Sequence, residues 1–411
     1  MSAVQIKSYL ANLNFPCDLN QLPASAYLIG GSVRDALLKR YKTPLDLDFV
    51  LPKKAIATAK QIADLYRGGF VVLDEAREIA RVVFPQGTLD LARQEGASLE
   101  ADLKRRDFTI NAIAYNIQSA ELNDPLNGLA DLQQGILRMV APQNLEDDPL
   151  RLLRAYRQAA QLNFTIEANT RTAIKERVDL LQTVAAERVQ AELNYIFTAP
   201  QGNKWLAAAI ADGLLNFWLP RAKGITRQQL AAVDRGIEFC RQSGLDYPQL
   251  AIATKLATLV AAEPTIAETE LTQLKYARSQ IKAVIKTVKY LPQLQQLTEQ
   301  MSLRERYFWF LAVKDVFSVL IARAIATDVS LAIIEPLIRH YLDPTDLVAH
   351  PQCLVAGNDL IGELQLKPSP IIGKLLTEIQ IAQIESKIAT PQQAIDYAES
   401  ILNDDDFLKQ D

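Results

Sequence analysis

The hydrophobic and polar positions divide the chain into an N-terminal part with short β-type runs and a longer part with helical spacing. Tyr27–Ile29 is an apolar run that predicts a buried strand, and Gly30-Gly31 ends it. Residues 32–38 have the composition of a helix, and a second strand follows. Residues 53–66 predict a further helix. The pattern therefore predicts strand, turn, helix, strand and helix in this order.

Three further short runs rich in β-forming residues follow, with turn residues between them: residues 70–73, Ile79–Phe84 and residues 88–91. They predict a small mixed sheet with helices on it, which residues 110–117 extend by one more strand. From about residue 200 the strand pattern ends. Residues 203–340 alternate apolar runs with charges at helical spacing, with prolines between them, and residues 354–411 predict a final helical unit.

Composition narrows the class of protein. The length of 411 residues predicts more than one domain, and a hydrophobic content of 49% supports sizeable cores. The net charge of −4 argues against a surface covered by nucleic acid, so any RNA contact must be local. The three cysteines form no CxxC pair, which predicts reduced thiols in a cytoplasmic protein without a zinc site of that kind. Neither a signal peptide nor an apolar run of about 18 residues is present, so no membrane span is expected.

Two carboxylates, Asp46 and Asp48, alternate along the second predicted strand. Alternate residues of a strand point to one face of the sheet, so both carboxylates are expected on the same side. Two like charges at close range repel, and one takes up a proton unless a cation lies between them. A divalent metal with oxygen ligands resolves this conflict, so we predict a metal site at these residues.

The turn before the first helix has the features of a phosphate site. Gly30 and Gly31 let backbone N–H groups approach a phosphate, and the N-terminus of the following helix favours negative charge. Arg34 lies one helical turn further and can hold phosphate oxygens with its guanidinium fork. A triphosphate site beside a metal pair is the outline of a nucleotidyltransferase.

These residues also carry a family resemblance. The pattern GGxVRDxLL followed by DxD, within residues 27–51, resembles the first motif of the class II tRNA nucleotidyltransferases and bacterial poly(A) polymerases. The resemblance implies an α+β fold, with a polymerase-β-type catalytic head that contains a mixed sheet, followed by an all-α neck, body and tail. We place the head at residues 1–140, the neck at 141–200, the body at 201–345 and the tail, which would bind tRNA, at 346–411.

Asp90 lies on the last of the three short β runs, in the sequence LDLAR. A third carboxylate that faces Asp46 and Asp48 would fit the two-metal chemistry of polymerases. The alternative is a surface aspartate at the end of a strand, and the spacing alone does not separate the two hypotheses.

The octapeptide RRDFTINA supplies a second set of polar residues. Arg106, Asp107 and Asn111 lie in an otherwise apolar segment, and burying them requires partners, which a nucleotide can supply. The octapeptide resembles the second motif of the family, which its members use for ribose recognition. The resemblance implies that Arg106 meets phosphate and that Asp107 and Asn111 bind ribose hydroxyls. The alternative is a structural cluster of ion pairs.

The segment EDDPLRLLRAYR predicts a helix with three arginines on one face. Their mutual repulsion implies anionic or base ligands, and an Asp–Arg pair can present an acceptor and a donor to the edge of a base. The segment resembles the family motif EDxxR, with Asp147 in place of the usual Glu. The resemblance implies that Asp148 and Arg151 select the base, with Arg154 and Arg157 near the triphosphate and base. A solvated arginine face is the alternative.

Two further segments resemble family motifs with structural roles. Residues 123–140 predict a turn, a short helix and a strand, and resemble a hinge between head and neck. Residues 185–193 resemble a helix that braces the neck, in which Glu187 and Arg188 are expected to be structural partners.

A basic stripe lies in the predicted body. Its members recur at gaps of three and four residues beside an apolar stripe, and they are Lys275, Arg278, Lys282, Lys286 and Lys289. This arrangement predicts a track for RNA phosphates. The alternative is a solvated basic face.

The resemblance implies attack of the tRNA 3′-hydroxyl on the α-phosphate of CTP or ATP, with two Mg²⁺ ions at Asp46 and Asp48 and no protein partner. Family enzymes that finish with A usually carry a flexible loop between the third head strand and RRD. Here residues 93–98 are the free loop, so we predict a CC-adding enzyme. A full CCA-adding enzyme is the first alternative. A poly(A) polymerase, which typically ends in a basic extension, is less favoured because this chain ends acidic.

Overall fold

The computed structural model describes residues 3–13, 15–41, 44–296 and 301–402, so the acidic end of the chain lies outside the described residues. The chain divides into two compact units, Met1–Trp218 and Leu219–Asp411. The first contains the strands: β1 (Tyr27–Ile29), β2 (Leu45–Leu51), β3 (Gly69–Asp74), β4 (Ile79–Phe84), β5 (Gly87–Arg93), β6 (Ala114–Asn116), β7 (Leu122–Asn123), β8 (Ile136–Leu137) and β9 (Thr165–Ile166).

The first seven strands form one mixed sheet in the order β3-β4-β5-β2-β1-β6-β7. Strands β2 and β5 run parallel, whereas the other neighbouring pairs run antiparallel. Strands β8 and β9 form a separate parallel pair. The predicted mixed sheet is therefore present, but residues 110–117 are a 3₁₀ turn, Thr109–Asn111, followed by the short strand β6. The polar side chain of Asn111 is bonded within the protein at this turn, which the apolar pattern around it did not indicate.

The helices of the first unit are α1 (Ala3–Ala11), α2 (Gly30–Leu37), α3 (Ala55–Tyr66), α4 (Leu99–Lys104), α5 (Gly128–Gln134), α6 (Pro142–Asp147), α7 (Leu150–Leu162), α8 (Ala168–Lys175), α9 (Ala186–Thr198) and α10 (Gly202–Ala211). Helix α3 packs against β3, β4 and β5. Alternate residues of β4 and β5, such as Val82 and Leu91, are buried, so the residues between them point to the opposite face. Helix α10, predicted as the beginning of the body, packs against α7 and α9 inside the first unit.

The register of three neighbouring strands aligns charged side chains in one row. Asp48 on β2 lies opposite Asp90 on β5, and Arg81 on β4 lies opposite Asp90 from the other side. Two residues earlier on β2, Asp46 lies opposite Thr88. Because cross-strand neighbours share a face, this register assembles an acidic cluster from two strands.

The second unit is helical throughout its described residues, with α11 (Arg227–Gln242), α12 (Leu250–Leu259), α13 (Pro264–Gln273), α14 (Arg278–Gln296), α15 (Leu303–Val313), α16 (Phe317–Ala326), α17 (Leu331–Leu342), α18 (Gly357–Glu363), α19 (Pro370–Ile384) and α20 (Pro391–Leu402). Helix α16 is central and packs against α11, α12 and α14. Gly236 permits the close approach of α11 to α16, since a Cβ at this position would lie 2.0 Å from the carbonyl oxygen of Ala322.

A separate apolar cluster joins α18, α19 and α20 through Leu360, Leu375 and Ala394. Within the described residues, no single helix is long and apolar enough to cross a membrane. Helices α12 and α13 reach that length and hydropathy only together, across a bend of 118°. The division of the chain into head, neck, body and tail stays a prediction.

Candidate active site

Three carboxylates meet on the face of the sheet opposite α3. One oxygen each of Asp46, Asp48 and Asp90 can be chosen so that all three lie within 4.8 Å of one another. Burial, and then the charges of Asp46 and Asp90, raise the pKa of the Asp48 carboxyl to about 7. The structure therefore brings together the DxD pair and the third carboxylate. The alternative of an isolated surface aspartate does not describe Asp90.

This cluster fits a divalent cation. Mg²⁺ prefers carboxylate oxygens, and a cation here would relieve the repulsion that raises the pKa of Asp48. Hydrogen bonds hold the strand that carries the pair. Thr88 donates from Oγ1 to Oδ1 of Asp46 at 2.5 Å, and Ser32 donates to the backbone oxygen of Asp46 at 2.9 Å. Asp46 and Asp48 are the residues that could hold the metal, with Asp90 next to them.

The Gly-Gly turn lies directly beside this cluster. Gly30 has a φ of +69°, which favours glycine, and a Cβ there would lie 3.8 Å from Oδ2 of Asp48 and 3.4 Å from Nη1 of Arg106. Gly31 follows as the second residue of α2. The turn is thus next to both the acidic cluster and a predicted phosphate-binding arginine.

Arg34 lies beside the Gly-Gly turn, where a Cβ on Gly31 would be 3.3 Å from its Nη2, and it also has protein partners. Its side chain is only 9% exposed, and its guanidinium binds Asp35, Asn111 at 2.7 Å and Gln158 at 3.1 Å. These partners lie up to 124 residues away in sequence, so the spacing of the first motif could not reveal them. Arg34 is therefore held by protein partners next to the turn, and its contact with a phosphate stays a prediction.

Asp107 and Asn111 belong to the same buried network. Asn111 donates to Oδ1 of Asp107 at 2.8 Å, and the backbone N–H of Phe108 donates to the same oxygen. Burial alone would raise the pKa of Asp107, but the charge of Arg154 and these hydrogen bonds outweigh it and lower the pKa to about 2. Asp107 and Asn111 therefore have partners within the protein, and their contact with ribose hydroxyls stays a prediction.

The three arginines of α7 also have protein partners, which corrects the inference that their repulsion requires ligands. Arg154 pairs with Asp107 at 2.9 Å, and Arg157 pairs with Glu192 at 2.6 Å. Arg151 donates to two backbone oxygens at 2.8 and 3.0 Å. The carboxylates come from α9 and from the segment after α4, so the sequence of α7 alone could not indicate them.

A cavity of about 450 Å³ opens at the ends of α4, α6 and α7. Its lining is strongly charged and consists of Arg77, Glu95, Asp102, Arg105, Arg106, Asp147, Asp148, Arg151 and Arg188. Of the residues predicted to bind nucleotide, Arg106, Asp148 and Arg151 line it. Arg154 and Arg157 are not among the lining residues.

Two of the arginines that line this cavity have contacts that the sequence did not indicate. Nε of Arg106 is buried and has no hydrogen-bond partner within the described residues, although Nη2 binds Asp102 at 3.1 Å. Arg188, expected to be a structural partner, reaches the cavity and donates to Oδ2 of Asp148 at 3.1 Å. The sequence signal for Arg188 was its motif, AAERV, but nothing in that motif indicated Asp148 as its partner.

The connection between β5 and α4 is short and is fixed by hydrogen bonds and an ion pair. Arg93 belongs to β5, so residues 94–98 alone form the loop that we had predicted to begin at Arg93. The N–H of Gln94 donates to the oxygen of Leu51 at 2.7 Å, and the N–H of Glu95 donates to Asp102 at 2.9 Å. The carboxylate of Glu95 also pairs with Arg105. The loop is therefore held by both of its neighbours.

In the second unit, the basic stripe lies along α14 and the turn before it. A groove of about 750 Å³ is lined by Lys275, Arg278, Lys282 and Lys286, together with Glu268, Thr272, Tyr276, Ile281 and Ile285. Lys289 is not part of this lining, and its ammonium lies 5.3 Å from the ring centre of Tyr290. Lys286 is bound to Asp315 at 2.7 Å, an acidic neighbour from outside the stripe. The free basic surface is thus smaller than predicted.

Comparison with known proteins decides the family. A family model described as "Poly A polymerase head domain" matches residues 76–138, one for an RNA and SrmB-binding site of polymerase A matches residues 163–225, and one for tRNA nucleotidyltransferase domain 2 matches residues 249–398. A CC-adding tRNA nucleotidyltransferase of Synechocystis sp. is 49% identical over 409 residues, covering 96% of this chain and 98% of that protein. The chain belongs to the tRNA nucleotidyltransferase and poly(A) polymerase family.

Other members of the family agree with this assignment. An A-adding tRNA nucleotidyltransferase of Deinococcus radiodurans is 30% identical, covering 92% of this chain and 95% of that protein. Among solved structures, a CCA-adding enzyme with CTP has a TM-score of 0.77 at 22% identity, covering 98% of this chain and 99% of that one. The Thermotoga maritima CCA-adding enzyme complexed with tRNA has a TM-score of 0.72 at 21% identity, covering 97% and 98%. The predicted fold class and the predicted nucleotidyltransferase class are confirmed.

Proposed function

We propose that this protein adds two cytidines to the 3′ end of tRNA, using CTP and no nucleic-acid template, and stops before the terminal A. The observation that carries the stop at CC is the tied five-residue connection between β5 and α4. At no more than about 3.5 Å per residue, it turns the chain but cannot reach back across a nucleotide pocket. The 49% identical relative from Synechocystis sp. is itself a CC-adding enzyme, which supports the same specificity.

The chemistry follows from the acidic cluster and the charged cavity. Asp46 and Asp48 would hold two Mg²⁺ ions, which when bound neutralise the triphosphate and lower the pKa of the attacking 3′-hydroxyl. Thr88 and Ser32 keep the strand that carries these carboxylates in place. The hydroxyl attacks the α-phosphate of CTP, and pyrophosphate leaves.

The cavity residues orient the nucleotide. Arg106, whose buried Nε has no hydrogen-bond partner in the part of the chain that the structure describes, binds phosphate oxygens beside Gly30 and Gly31. Asp148 and Arg151 present an acceptor and a donor to the base edge, with Asp148 held by Arg188. Ion pairs and hydrogen bonds among the neighbouring polar residues hold this site in place. These residues are Arg34, Asp107, Asn111, Arg154 and Arg157. Stabilisation of the negative charge that develops on the phosphate oxygens supplies most of the rate enhancement.

In the second unit, Lys275, Arg278 and Lys282 contact the phosphates of the tRNA. The substrates, tRNA and CTP, are those of a cytoplasmic RNA-processing enzyme, so we place the protein in the cytoplasm.

The test supplies a tRNA that ends at the discriminator base with CTP and ATP in Mg²⁺, and then sequences the products. We expect products that end in CC even with excess ATP. Efficient completion to CCA would overturn the stop at CC and favour the function of the 30% identical Streptococcus agalactiae relative, a CCA-adding enzyme. Long A tails would favour a poly(A) polymerase. Offering the same enzyme a tRNA that already ends in CC, with ATP alone, separates a missing A-addition step from a slow one.

A further inference from the structure

An arginine continues the row of carboxylates across the sheet. Arg81 on β4 lies opposite Asp90 on β5, and Asp90 lies opposite Asp48 on β2. Arg81 donates from Nε to one oxygen of Asp90 and from Nη2 to the other, both at 2.7 Å. This is a bidentate pair, the strongest form of arginine–carboxylate contact, and it involves both oxygens of the third carboxylate.

The pair changes the charge that a cation would meet. Three ionised carboxylates would give the cluster a charge of about −3, and pairing one of them with a guanidinium reduces it to about −2. The Asp90 side chain is 16% exposed and that of Arg81 is 38% exposed, so water screens this pair only in part. A cation bound directly to Asp90 would also lie close to the positive charge of Arg81.

We propose that Arg81 is a positioning residue that keeps Asp90 from ligating the metal, so that the nucleotide-free enzyme has a two-carboxylate metal site. This inference rests on the proposed metal-dependent nucleotidyl transfer. Mg²⁺ in nucleotide enzymes is held by one or two carboxylates together with substrate phosphates. A two-carboxylate site binds the ion firmly only when a triphosphate supplies further oxygens, and it releases the ion together with pyrophosphate. A three-carboxylate site would retain the ion, and with it the pyrophosphate.

The test measures Mn²⁺ binding to nucleotide-free protein from the electron paramagnetic resonance signal of free Mn²⁺. Arg81→Gln frees Asp90, so we expect Mn²⁺ to bind at least about tenfold more tightly than to the wild type. Arg81→Lys keeps the charge without the planar fork and should give an intermediate affinity. The double variant Arg81→Gln/Asp90→Asn should return to the wild-type affinity, because the gain depends on the freed carboxylate.

The outcomes separate this inference from the proposed function. If Asp48→Ala abolishes Mn²⁺ binding but Arg81→Gln binds no more tightly than the wild type, the role of Arg81 is wrong and the metal site stands. If Asp48→Ala still binds Mn²⁺ like the wild type, the metal assignment itself fails. Weaker binding by Arg81→Gln, with an unchanged circular dichroism spectrum, would show that Arg81 instead prepares Asp90 as a third ligand. A kinetic readout accompanies these: pyrophosphate should inhibit Arg81→Gln at lower concentrations than the wild type.

Discussion

Arg154 donates two hydrogen bonds, from Nε at 3.0 Å and Nη2 at 2.9 Å, to a single oxygen of Asp107. The pair joins helix α7 to the segment that follows α4, across 47 positions of sequence. Asp107 is 6% exposed in its side chain, so its charge depends on this partner. Because a buried carboxylate without a partner is strongly destabilising, the pair stabilises the junction of two motifs.

The contribution of the Arg154–Asp107 pair to stability should depend on pH in the acid range. The pKa of Asp107 is lowered to about 2 in the folded protein, so its contribution is present above its unfolded value and is lost as the pH falls toward 2. The size of the shift corresponds to about 2 kcal/mol of unfolding free energy. We therefore expect Asp107→Asn to be less stable than the wild type at pH 6, with the gap shrinking by about that amount toward pH 2.

This gap is measured by urea unfolding of the two proteins at a series of pH values from 6 to 2.5. Hydrogen exchange in peptides of residues 105–116 follows the unfolding. Comparing the two proteins at each pH removes the titration of the other carboxylates, which they share. A gap that stays constant with pH would contradict the assignment of the lowered pKa to Asp107.

The sequence predicts some of this site well, because the relevant geometry is local. Alternation along one strand is enough to place Asp46 and Asp48 on one face, and the structure agrees. The Gly-Gly turn needs only a break between strand and helix, and Gly30 indeed has a positive φ. The mixed sheet follows in the same way from short β runs separated by turn residues.

The partners of charged side chains could not be predicted, because they come from distant segments. Gln158 binds Arg34 from 124 positions away, and Glu192 binds Arg157 from 35 positions away. Three arginines on one helical face indicate that counter-charges exist, but they do not say whether a ligand or the protein supplies them. Arg81 shows the same limit, because its pairing with Asp90 depends on the strand register.

Loss of either carboxylate of the DxD pair should abolish nucleotide addition. Asp46→Ala or Asp48→Ala removes half of the proposed metal site, while the fold and tRNA binding should remain. Radiolabelled CTP incorporation into tRNA measures the loss, and a filter-binding assay checks tRNA affinity. Asp64→Ala, at an exposed position of α3, is the matched control and should keep its activity. Near-normal incorporation by either DxD variant in Mg²⁺ would contradict the metal assignment.

Truncation of Arg151 should reduce base selection more than phosphate binding. The guanidinium lines the charged cavity and is fixed by the backbone oxygens of Asn144 and Arg105, so it can present a donor at a defined position. Without that donor, the preference for CTP over UTP should fall about tenfold or more, because a polar contact is lost in a closed site.

Competition of CTP, UTP and GTP for incorporation into one tRNA measures the selectivity of Arg151→Ala. Arg235→Ala, which removes an exposed arginine of α11 in the second unit, serves as the control. Unchanged selectivity in Arg151→Ala would rule out the edge contact. Arg188→Ala should show the same loss in weaker form, since Arg188 binds Asp148 but leaves Arg151 in place.

Charge reversal on the basic groove should weaken tRNA binding. Arg278 and Lys282 are better targets than Lys286, which is bound to Asp315 and to the backbone oxygen of Ala312, so that its reversal would also disturb the fold. Lys282 also faces Asp315, but only at 3.7 Å and with a largely exposed side chain, so its reversal should disturb the fold less. Each phosphate contact releases counterions, so Arg278→Glu/Lys282→Glu should bind tRNA more weakly and reduce the slope of log affinity against log salt by about two.

Fluorescence anisotropy of labelled tRNA at several salt concentrations measures both the affinity and the slope. Lys53→Glu/Lys60→Glu reverses two exposed lysines of the first unit and controls for net charge, which changes equally in the two variants. If the control weakens binding as much as the groove variant does, long-range charge and not the groove explains the effect. If the groove variant binds normally at low salt, the stripe is a solvated face, because two lost phosphate contacts weaken binding most when salt is low.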